Sequence, residues 1–314
     1  MIVANCSHSD RMKHGHDKRG IQRYLCKACG KTFADEPAKP LGTMRLPLRE
    51  GATALAMLLE GLSIRSAARL TGIDRDTIGA LILTAGENCE RFFLENVRGV
   101  AVEDCQCDEL WSYIALKERK RMARHLGDAL GDSWTFIAMD ARSKLVLAYE
   151  IGRRDAVACY AFIDKLRDAT KGYFQVSTDG FQGYKLGVPF GLGDRVSHGV
   201  LIKSYESTQT ETRYSPAQIV SIEKHANFGD PDQDRVSTSY VERLNLTLRM
   251  QLRRFTRLTN GFSKSPRHHR AMQSIFFAWF NWVRVHGTIK TTPAVAAGLA
   301  DRPWTVRELL ERAA

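Results

Sequence analysis

One short stretch, from Tyr173 to Gly180, sets the strongest limit on how this chain can fold. It reads Tyr-Phe-Gln-Val-Ser-Thr-Asp-Gly, so that mostly apolar or β-prone residues lead into an acid and then a glycine. This order predicts a buried strand that ends at Asp179 and a turn that follows at once. Because open α/β sheets bind ligands beyond the carboxyl ends of their strands, Asp179 is a candidate site residue.

Two further segments carry acids in a comparable setting. Asp108 lies in a strand-like run from Cys105 to Ile114, and Glu242 lies in a helix-like run from Ser239 to Arg249. If the two strands are neighbours and the helix packs against the sheet edge, Asp108, Asp179 and Glu242 could meet at one site.

Each acid also has a purely structural explanation. An Asp on a strand is more often a surface or turn residue than a ligand. Asp104 shares the predicted strand face of Asp108, and Glu109 points the opposite way, so both stay open as alternatives. Glu242 could simply pair with Arg249 or another base on its own helix.

The charge balance indicates a polyanionic partner. The 314 residues include 46 Lys and Arg against 35 Asp and Glu, which gives a formal charge of +11, and nucleic acid is the usual partner of such a chain. No apolar run approaches the roughly 20 residues that a membrane helix needs, and the N-terminus lacks the layout of a signal peptide. We therefore expect a cytosolic protein, whose seven cysteines are metal ligands or buried thiols rather than disulfides.

The first predicted domain, residues 1–36, contains half of a zinc site. Cys26 and Cys29 form a Cys-x-x-Cys pair that Gly30 follows. Such a turn presents two thiolates to one tetrahedral metal ion, and the glycine permits the tight backbone behind them. The sequence therefore predicts a zinc ribbon in this domain.

The second half of that site is less regular. Cys6 would supply one ligand, but Val3 stands where a second Cys-x-x-Cys pair would begin. The fourth ligand could be His8, or His14 or His16 further on. The alternative is a decayed ribbon that folds without metal.

The second predicted domain, residues 37–98, follows a proline-rich linker. Two helical patterns are separated by Gly72, which makes a turn, and by Asp74, which can cap the second helix. This arrangement predicts a DNA-binding helix-turn-helix, and a plain three-helix bundle is the alternative. The candidate base-reading residues begin the last helix: Arg75, Asp76 and Thr77.

The third predicted domain, residues 99–314, changes to an α/β pattern. We expect five strands, at residues 100–110, 134–140, 144–151, 173–179 and 196–205. A helix over residues 155–168 crosses between the third and fourth strands, so the fourth runs parallel to a strand already in the sheet. Residues 206–235 look like a loop or insertion, and residues 271–285 like a buried final helix. The basic run 117–124, with Lys120 and Arg121, could hold DNA backbone beside Asp108, or be a solvated loop.

The three acids are residues of a type that can bind metal ions together. Mg²⁺ prefers oxygen ligands and is usually held by a few carboxylates together with substrate phosphates. Two such ions, about 3.5–4 Å apart, can activate a nucleophile and stabilise the leaving oxygen in phosphoryl transfer. Asp108, Asp179 and Glu242 could hold a pair of ions in this way.

At this point the chain resembles a known family. The runs at 108–113, 177–181 and 240–245 read Asp-Glu-Leu-Trp-Ser-Tyr, Ser-Thr-Asp-Gly-Phe and Tyr-Val-Glu-Arg-Leu-Asn. They are similar to the acidic motifs of DDE transposases, in particular of the insertion-sequence-one type. The cysteine run at 23–33, the helix-turn-helix and Val-Arg-Val-His-Gly-Thr at 283–288 resemble that group too, so the resemblance covers most of the chain.

The resemblance implies a ribonuclease-H-like core, which is a mixed five-stranded sheet with helices on both faces. It implies Asp108, Asp179 and Glu242 as catalytic ligands of two Mg²⁺ or Mn²⁺ ions, and Arg249 as a basic residue that could contact DNA. It further implies terminal inverted repeats and target DNA as partners, an assembly of at least two copies, and a nucleoid-associated protein of the cytoplasm. The departure at Val3 leaves the ribbon incomplete.

The expected function is thus transposition, in which hydrolysis frees a 3′-hydroxyl that then attacks target DNA. Two alternatives stay open. One is a non-catalytic DNA-binding regulator derived from a transposase, and the other is a nuclease of the same fold that cuts without joining.

Overall fold

The computed structural model describes residues 6, 8–18, 20–34, 39–205, 219–256 and 259–314. The chain divides into two compact units, Met1–Lys39 and Pro40–Ala314. The helices of the predicted second domain therefore belong to the same compact unit as the sheet that follows them. None of the described helices combines the length and the apolar character that crossing a membrane requires.

The first unit contains a small antiparallel sheet. Its strands are β1 (Arg11–His16), β2 (Gln22–Cys26) and β3 (Thr32–Ala34), with β2 in the middle. Between β2 and β3 the chain turns tightly, and the Gly30 N–H donates to the Cys26 carbonyl at 2.9 Å. Gly30 adopts a φ of 70°, a left-handed conformation that glycine allows without strain.

The second unit combines helices with one large sheet. Its helices are α1 (Leu48–Leu59), α2 (Ile64–Thr71), α3 (Arg75–Asn96), α4 (Glu118–Ala123), α5 (Ala156–Ala169), α6 (Gln182–Leu192), α7 (Ser239–Gln251), α8 (Pro266–Trp282), α9 (Pro293–Ala296) and α10 (Val306–Ala313). Its strands are β4 (Val100–Ala101), β5 (Asp104–Ile114), β6 (Gly131–Asp140), β7 (Val146–Gly152), β8 (Thr170–Lys171), β9 (Phe174–Thr178), β10 (Val196–Tyr205) and β11 (Ile219–Phe228). The short β4 and β8 pair with each other, apart from the large sheet.

Within the described residues the large sheet has six strands, in the order β11-β10-β9-β5-β6-β7. β5, β6 and β7 are antiparallel neighbours, whereas β9 lies parallel to β5 and β10 lies parallel to β9. The parallel β9 is the arrangement that the crossing helix predicted, and α5 is that helix.

The prediction of five strands was wrong by one, because part of the expected loop at 206–235 is strand β11. β11 pairs antiparallel with β10 at the edge of the sheet. Seven of the ten residues of β11 are exposed and three are half-buried, so no apolar alternation marks it in the sequence. Residues 206–218 of that expected loop lie outside the described residues.

Capping residues explain where several helices begin. The Ser63 hydroxyl accepts from the Ser66 N–H at 3.0 Å at the start of α2. Asp74 accepts from the Asp76 N–H at 2.8 Å at the start of α3, as expected of a capping carboxylate. Between these helices Gly72 adopts a φ of 74°, which makes the predicted turn.

Helices cover both faces of the large sheet. Phe136 of β6 packs against Phe162 of α5, with ring centroids 5.8 Å apart. The preceding residue, Thr135, points to the other face and donates to the Gln273 side chain of α8 at 2.6 Å. The two neighbours contact opposite layers because side chains alternate along a strand.

Three helices differ from the sequence prediction. α4 lies in the basic run 117–124, for which no helix was expected. The final buried helix begins at Pro266 rather than near Ala271, since proline is well suited to the first turn of a helix. α6, which begins three residues after Asp179, was not predicted. Its weak apolar pattern and the internal Pro189 hide it in the sequence.

Candidate active site and candidate metal centre

The strand register brings two of the predicted acids together. In the parallel pair of β5 and β9, Asp104 lies opposite Gln175 and Gln106 lies opposite Ser177. Two residues further on, the same register brings Asp108 level with Asp179, which directly follows β9. Neighbouring strands lie about 4.8 Å apart, so the two carboxylates meet at one edge of the sheet.

Two contacts tie α7 to β5 beside these acids. The Gln106 side-chain oxygen accepts from the Tyr240 N–H at 2.8 Å, in the first turn of α7. One turn later the Asn245 amide donates to Asp108 Oδ2 at 2.7 Å. Glu242 lies between these two contacts along the helix, so the docking of α7 brings it to the same edge.

Three carboxylates form one compact acidic group. Single oxygen atoms of Asp108, Glu109 and Asp179 all lie within 4.8 Å of one another, a spacing that could hold a metal ion. Glu109 points to the α5 and α6 face, away from Asp108, as the alternation of the strand predicts. It still joins the group because Asp179 lies at the sheet edge, within reach of both faces.

Arg154 supplies positive charge to this group. Its guanidinium donates to Glu109 Oε2 at 3.0 and 3.1 Å and lies 3.5 Å from Asp179 Oδ2. The guanidinium carbon also lies 4.5 Å from the centroid of the Phe181 ring. This cation partly offsets the repulsion between the carboxylates.

Glu242 is close to the group without belonging to it. Its Oε1 accepts from the Thr238 hydroxyl at 2.6 Å and is ion-paired with Lys203 of β10. Its charge nevertheless contributes to raising the pKa of Asp108. Glu242 thus lies within electrostatic range of Asp108 and is turned toward Lys203.

Burial makes Asp108 and Glu109 difficult to ionise. It raises the pKa of Asp108 to about 6, and the charges of Asp179 and Glu242 add to the effect. Burial also raises the pKa of Glu109 to about 7, again with the help of Asp179. Glu109 Oε1 is buried and has no hydrogen bond of ordinary length among the described residues, although the buried Tyr184 hydroxyl interacts with this carboxylate. The site therefore contains an acceptor that a cation or a proton would satisfy.

The alternative acid Asp104 has a different environment. Asp104 lies two residues before Gln106 on β5, and its Oδ2 accepts from Arg235 Nε at 2.9 Å. Asp104 is absent from the acidic group defined above. Its ion pair joins the start of β5 to the segment that precedes α7.

The candidate base-reading residues lie at the start of α3. Arg75 and Asp76 are exposed and lie 3.5 Å apart at their charged groups, and Thr77 is half-buried. Asp76 sits in the first turn of the helix, where a negative charge interacts favourably with the helix dipole.

The other candidate DNA contacts differ in exposure. Lys120 on α4 is exposed, but the neighbouring Arg121 has a side chain only 14% exposed and pairs with Glu118 at 2.6 Å and Asp128 at 2.8 Å. These ion pairs give Arg121 a structural role between α4 and the following turn. Arg249 is half-buried in the last turn of α7.

The first unit contains a separate group of metal-ligand atoms. One ligand atom each from Cys6, His8, Cys26 and Cys29 lie within 4.8 Å of one another. Cys6 Sγ is 3.6 Å from Cys26 Sγ, and Cys29 Sγ is 3.4 Å from His8 Nδ1. This group could hold a metal ion, with His8 as the fourth member.

His14 and His16, the other candidates for that position, lie on the exposed strand β1. The His8 ring stacks on Phe33 with centroids 4.8 Å apart, which orients the imidazole. A hydrogen bond with His8 contributes most to lowering the pKa of Cys26, to about 6. A thiolate is therefore accessible near neutral pH, as a metal ligand requires.

Sequence reasoning missed several residues of the acidic site. Asn245 stands three residues after Glu242, a helical spacing that indicates a shared face. Glu109 was weighed only as an alternative to Asp108. No sequence pattern linked Arg154 or Lys203 to the acids, because each reaches them from a distant element.

Comparison with models of known protein families finds no match, and comparison with curated proteins finds none either. Among solved structures, the chain is similar to one described as the cryo-EM structure of piggyBac transposase synaptic complex with hairpin DNA. The TM-score is 0.32 at 10% sequence identity, over 87% of this chain and 72% of that chain. A similarity this low carries no argument about fold or activity.

Proposed function

We propose that this chain is a DNA transposase that binds the terminal inverted repeats of its own element, cleaves the DNA 3′ ends and joins them to target DNA. One observation carries this proposal. Asp108 on β5 and Asp179, which directly follows the parallel β9, have carboxylate oxygens within 4.8 Å of each other, and α7, docked on Gln106 and Asp108, carries Glu242 toward the same edge.

The architecture supports the same proposal. A mixed sheet with helices on both faces is what the resemblance implies for a ribonuclease-H-like core, and residues 99–314 would form it. β11 is then an additional edge strand on that core. The order Asp, Asp, Glu along the chain is that of the motifs in the family.

The acidic group fits a divalent cation. It offers several carboxylate oxygens within 4.8 Å, and Glu109 Oε1 lacks a hydrogen bond of ordinary length among the described residues. Asp108, Asp179 and Glu242 would hold Mg²⁺ or Mn²⁺, two ions in the family arrangement, with Glu109 adjoining them. Bound ions would supply activation of the attacking water or hydroxyl and stabilisation of the leaving oxygen.

The protein residues prepare this site in three ways. Asn245 fixes the orientation of Asp108 by its hydrogen bond to Oδ2. Arg154 and Lys203 balance part of the negative charge of the acids while no cation or DNA is bound. Glu242 must leave Lys203 to reach the other acids, so Lys203 is then free to meet a DNA phosphate.

We propose zinc as the ion of the N-terminal group. With Zn–S near 2.3 Å and Zn–N near 2.0–2.1 Å, tetrahedral geometry requires S–S and S–N distances of about 3.8 and 3.6 Å. The corresponding distances of 3.6 Å between Cys6 and Cys26 and 3.4 Å between Cys29 and His8 support this assignment. Cys6, His8, Cys26 and Cys29 would then be the complete ligand set.

DNA recognition would involve both the N-terminal domains and the core. The zinc ribbon of residues 1–36 and the helix-turn-helix of residues 37–98 would bind the element ends. Lys120 would contact the DNA backbone near the acids, and at least two copies of the chain would act together in the nucleoid. Other candidate DNA contacts are Arg75, Asp76, Thr77, Arg121 and Arg249.

A cleavage assay tests this function. Purified chain is incubated with Mg²⁺ and labelled duplexes that carry the two ends of the DNA segment encoding it. Asp108→Asn, Asp179→Asn and Glu242→Gln should each lower cleavage by more than about a hundredfold, since even outer-shell partners of a metal cost 10–100-fold. Strand transfer should fall with cleavage, and binding to the ends should persist.

Asp104→Asn is the matched control, because it removes a carboxylate from the same strand but outside the acidic group. It should keep its cleavage rate under conditions where it remains folded. A triad variant that cleaves at the wild-type rate removes that residue from the site. A wild-type chain that binds the ends but cleaves with neither Mg²⁺ nor Mn²⁺ would instead be the non-catalytic regulator, and cleavage without joining would indicate a nuclease.

A further inference from the structure

The segment 283–288, which the proposed reaction leaves without a role, forms one side of a basic pocket. A cavity of about 440 Å³ lies between α7, the chain after α8 and the turn that joins β6 to β7. Its basic lining residues are Lys144, Arg243, Arg284 and His286. No Asp or Glu stands among the described residues that line it.

Two of these cations lack the partners that surface arginines usually find. The side chains of Arg243 and Arg284 form no hydrogen bond or ion pair with any residue in the described part of the chain. Arg284 lies beside the Phe280 ring, 5.6 Å from its centroid, and its pKa is lowered by burial and only partly restored by the charge of Glu60. Both guanidiniums therefore keep their donors available to a ligand.

The positive charges in the pocket repel one another. Burial lowers the pKa of His286, and the charges of three cations lower it further. These cations are Arg284, Lys144 and Arg243. Lys144 itself is 5% exposed, and its ammonium group lies 2.9 Å from the centroid of the Tyr240 ring. The charges of Glu60 and Asp140 act on Arg284 and Lys144, but neither acid lines the pocket. An anion that enters between the converging cations would therefore stabilise them.

The pocket also offers neutral groups that suit a nucleotide. Gln251 lines it, and its buried side-chain oxygen has no hydrogen-bond partner among the described residues. The nitrogen and oxygen of a glutamine amide are assigned from its hydrogen bonds. If the two are exchanged in Gln251, its amide N–H donors point toward an anion in the pocket. The rings of Tyr240 and Phe280 give the pocket an apolar side against which a sugar could rest.

We propose that this pocket binds a backbone phosphate of the DNA strand that passes the acidic site. The pocket shares α7 with the acidic site, since Tyr240 and Arg243 line the pocket and Asn245 of the same helix donates to Asp108. The identity of the ligand rests on the proposed function. The location of the site rests on the unpaired side chains of Arg243 and Arg284. Arg243 and Arg284 are the phosphate contacts, and Lys144 sets the charge beneath them.

Salt-dependent DNA binding tests this proposal. The full chain, without divalent metal, is titrated onto a labelled duplex at several KCl concentrations, as wild type, Arg243→Gln, Arg284→Gln and the double variant. Each lost phosphate contact should lower the slope of log Kd against log salt by about 1. Arg307→Gln, which removes the same charge from α10 and does not line the pocket, should keep the wild-type slope.

Melting temperatures establish that each variant is folded, and Arg243→Gln changes an exposed residue, so the test survives if Arg284→Gln unfolds. A folded double variant with the wild-type slope overturns the proposal. A protein stabilised by inorganic pyrophosphate through these arginines, yet with an unchanged DNA slope, overturns it in favour of a small-anion site. A lowered slope in a chain that never cleaves DNA supports the pocket while rejecting the transposase, whereas cleavage with an unchanged slope rejects the pocket alone.

Discussion

At the scale of single residues, Asp108 shows how the site differs from an ordinary sheet edge. Its carboxylate is buried beside Asp179 and Glu109, and the Asn245 amide and the Glu109 backbone N–H are the donors that favour its ionised form. The folded chain therefore favours the neutral form of Asp108 unless a cation is bound. An aspartate that only stabilised the fold would instead be expected to make the protein more stable when it ionises.

The stability of the metal-free protein should therefore fall as pH rises. In the folded protein the pKa of Asp108 is raised from 3.8 to about 6 and that of Glu109 from 4.5 to about 7. The two acids therefore add to the free energy of unfolding below about pH 4, and this contribution is lost as the pH rises through about 6–7. Asp108→Asn should remove part of this loss, a gain on the order of 1–3 kcal/mol at pH 8. Urea unfolding of the wild type and of Asp108→Asn, in the presence of a chelator and from about pH 4 to pH 8, measures this difference in the free energy of unfolding.

Excess Mg²⁺ should flatten the same pH dependence in the wild type, because it favours the ionised carboxylates. Asp104→Asn serves as the comparison, since it loses an ion pair with Arg235 and should keep the wild-type slope. An Asp108→Asn protein with an unaltered pH dependence would contradict the raised pKa.

At the scale of elements, the long α3 connects the candidate recognition residues to the core. It begins at Arg75 and packs along α8, where Glu90 accepts from Arg270 at 2.7 Å. Gly86 allows the two helices to approach closely, because a Cβ there would lie 2.4 Å from the Ala271 Cβ. The helices α1 to α3 are therefore part of the second compact unit rather than an independent module.

Gly86→Ala should destabilise the protein by about 1–3 kcal/mol, since added volume at a close-packed contact forces the helices apart. Gly79→Ala on the same helix is the matched control. A Cβ there would come no closer than 3.6 Å to His268, so replacing a helical glycine should stabilise by about 0.5–1 kcal/mol. Urea unfolding distinguishes the two, and equal stabilisation by both would contradict the close contact.

At the scale of the whole molecule, the chain contains two units of unequal size. The second has a large core, whereas the described buried apolar core of the first is limited to Cys26. Units of roughly 40 residues or fewer usually need a metal, disulfides or a partner to fold. The metal-ligand group is the feature that can stabilise the first unit.

Removing this metal should therefore unfold only the first unit. Wild-type protein should carry about one zinc per chain, and Cys26→Ser or chelation should abolish hydrogen-exchange protection in residues 8–34 while residues 40–314 keep theirs. Cys89→Ala, which changes a buried cysteine of α3, should retain the zinc. Unchanged zinc content in Cys26→Ser, or a loss of protection throughout the chain, would reject the assignment.

Local patterns in the sequence were sufficient for much of the fold. Apolar runs predicted β6, β7, β9 and β10, and capping chemistry predicted the start of α3 at Asp74. The Cys-x-x-Cys-Gly turn predicted half of the metal-ligand group. These features depend on neighbouring residues, whose spacing the sequence records directly.

The tertiary structure alone decided the rest. β11 is a strand because β10 offers it hydrogen bonds, not because of its own mostly exposed side chains. Arg154 and Lys203 reach the acids from separate elements, Gln106 of β5 accepts from the first turn of α7, and His8 completes its group by the path of the chain before β1. Strand register and helix docking create these contacts between distant residues, so no spacing along the sequence could have revealed them.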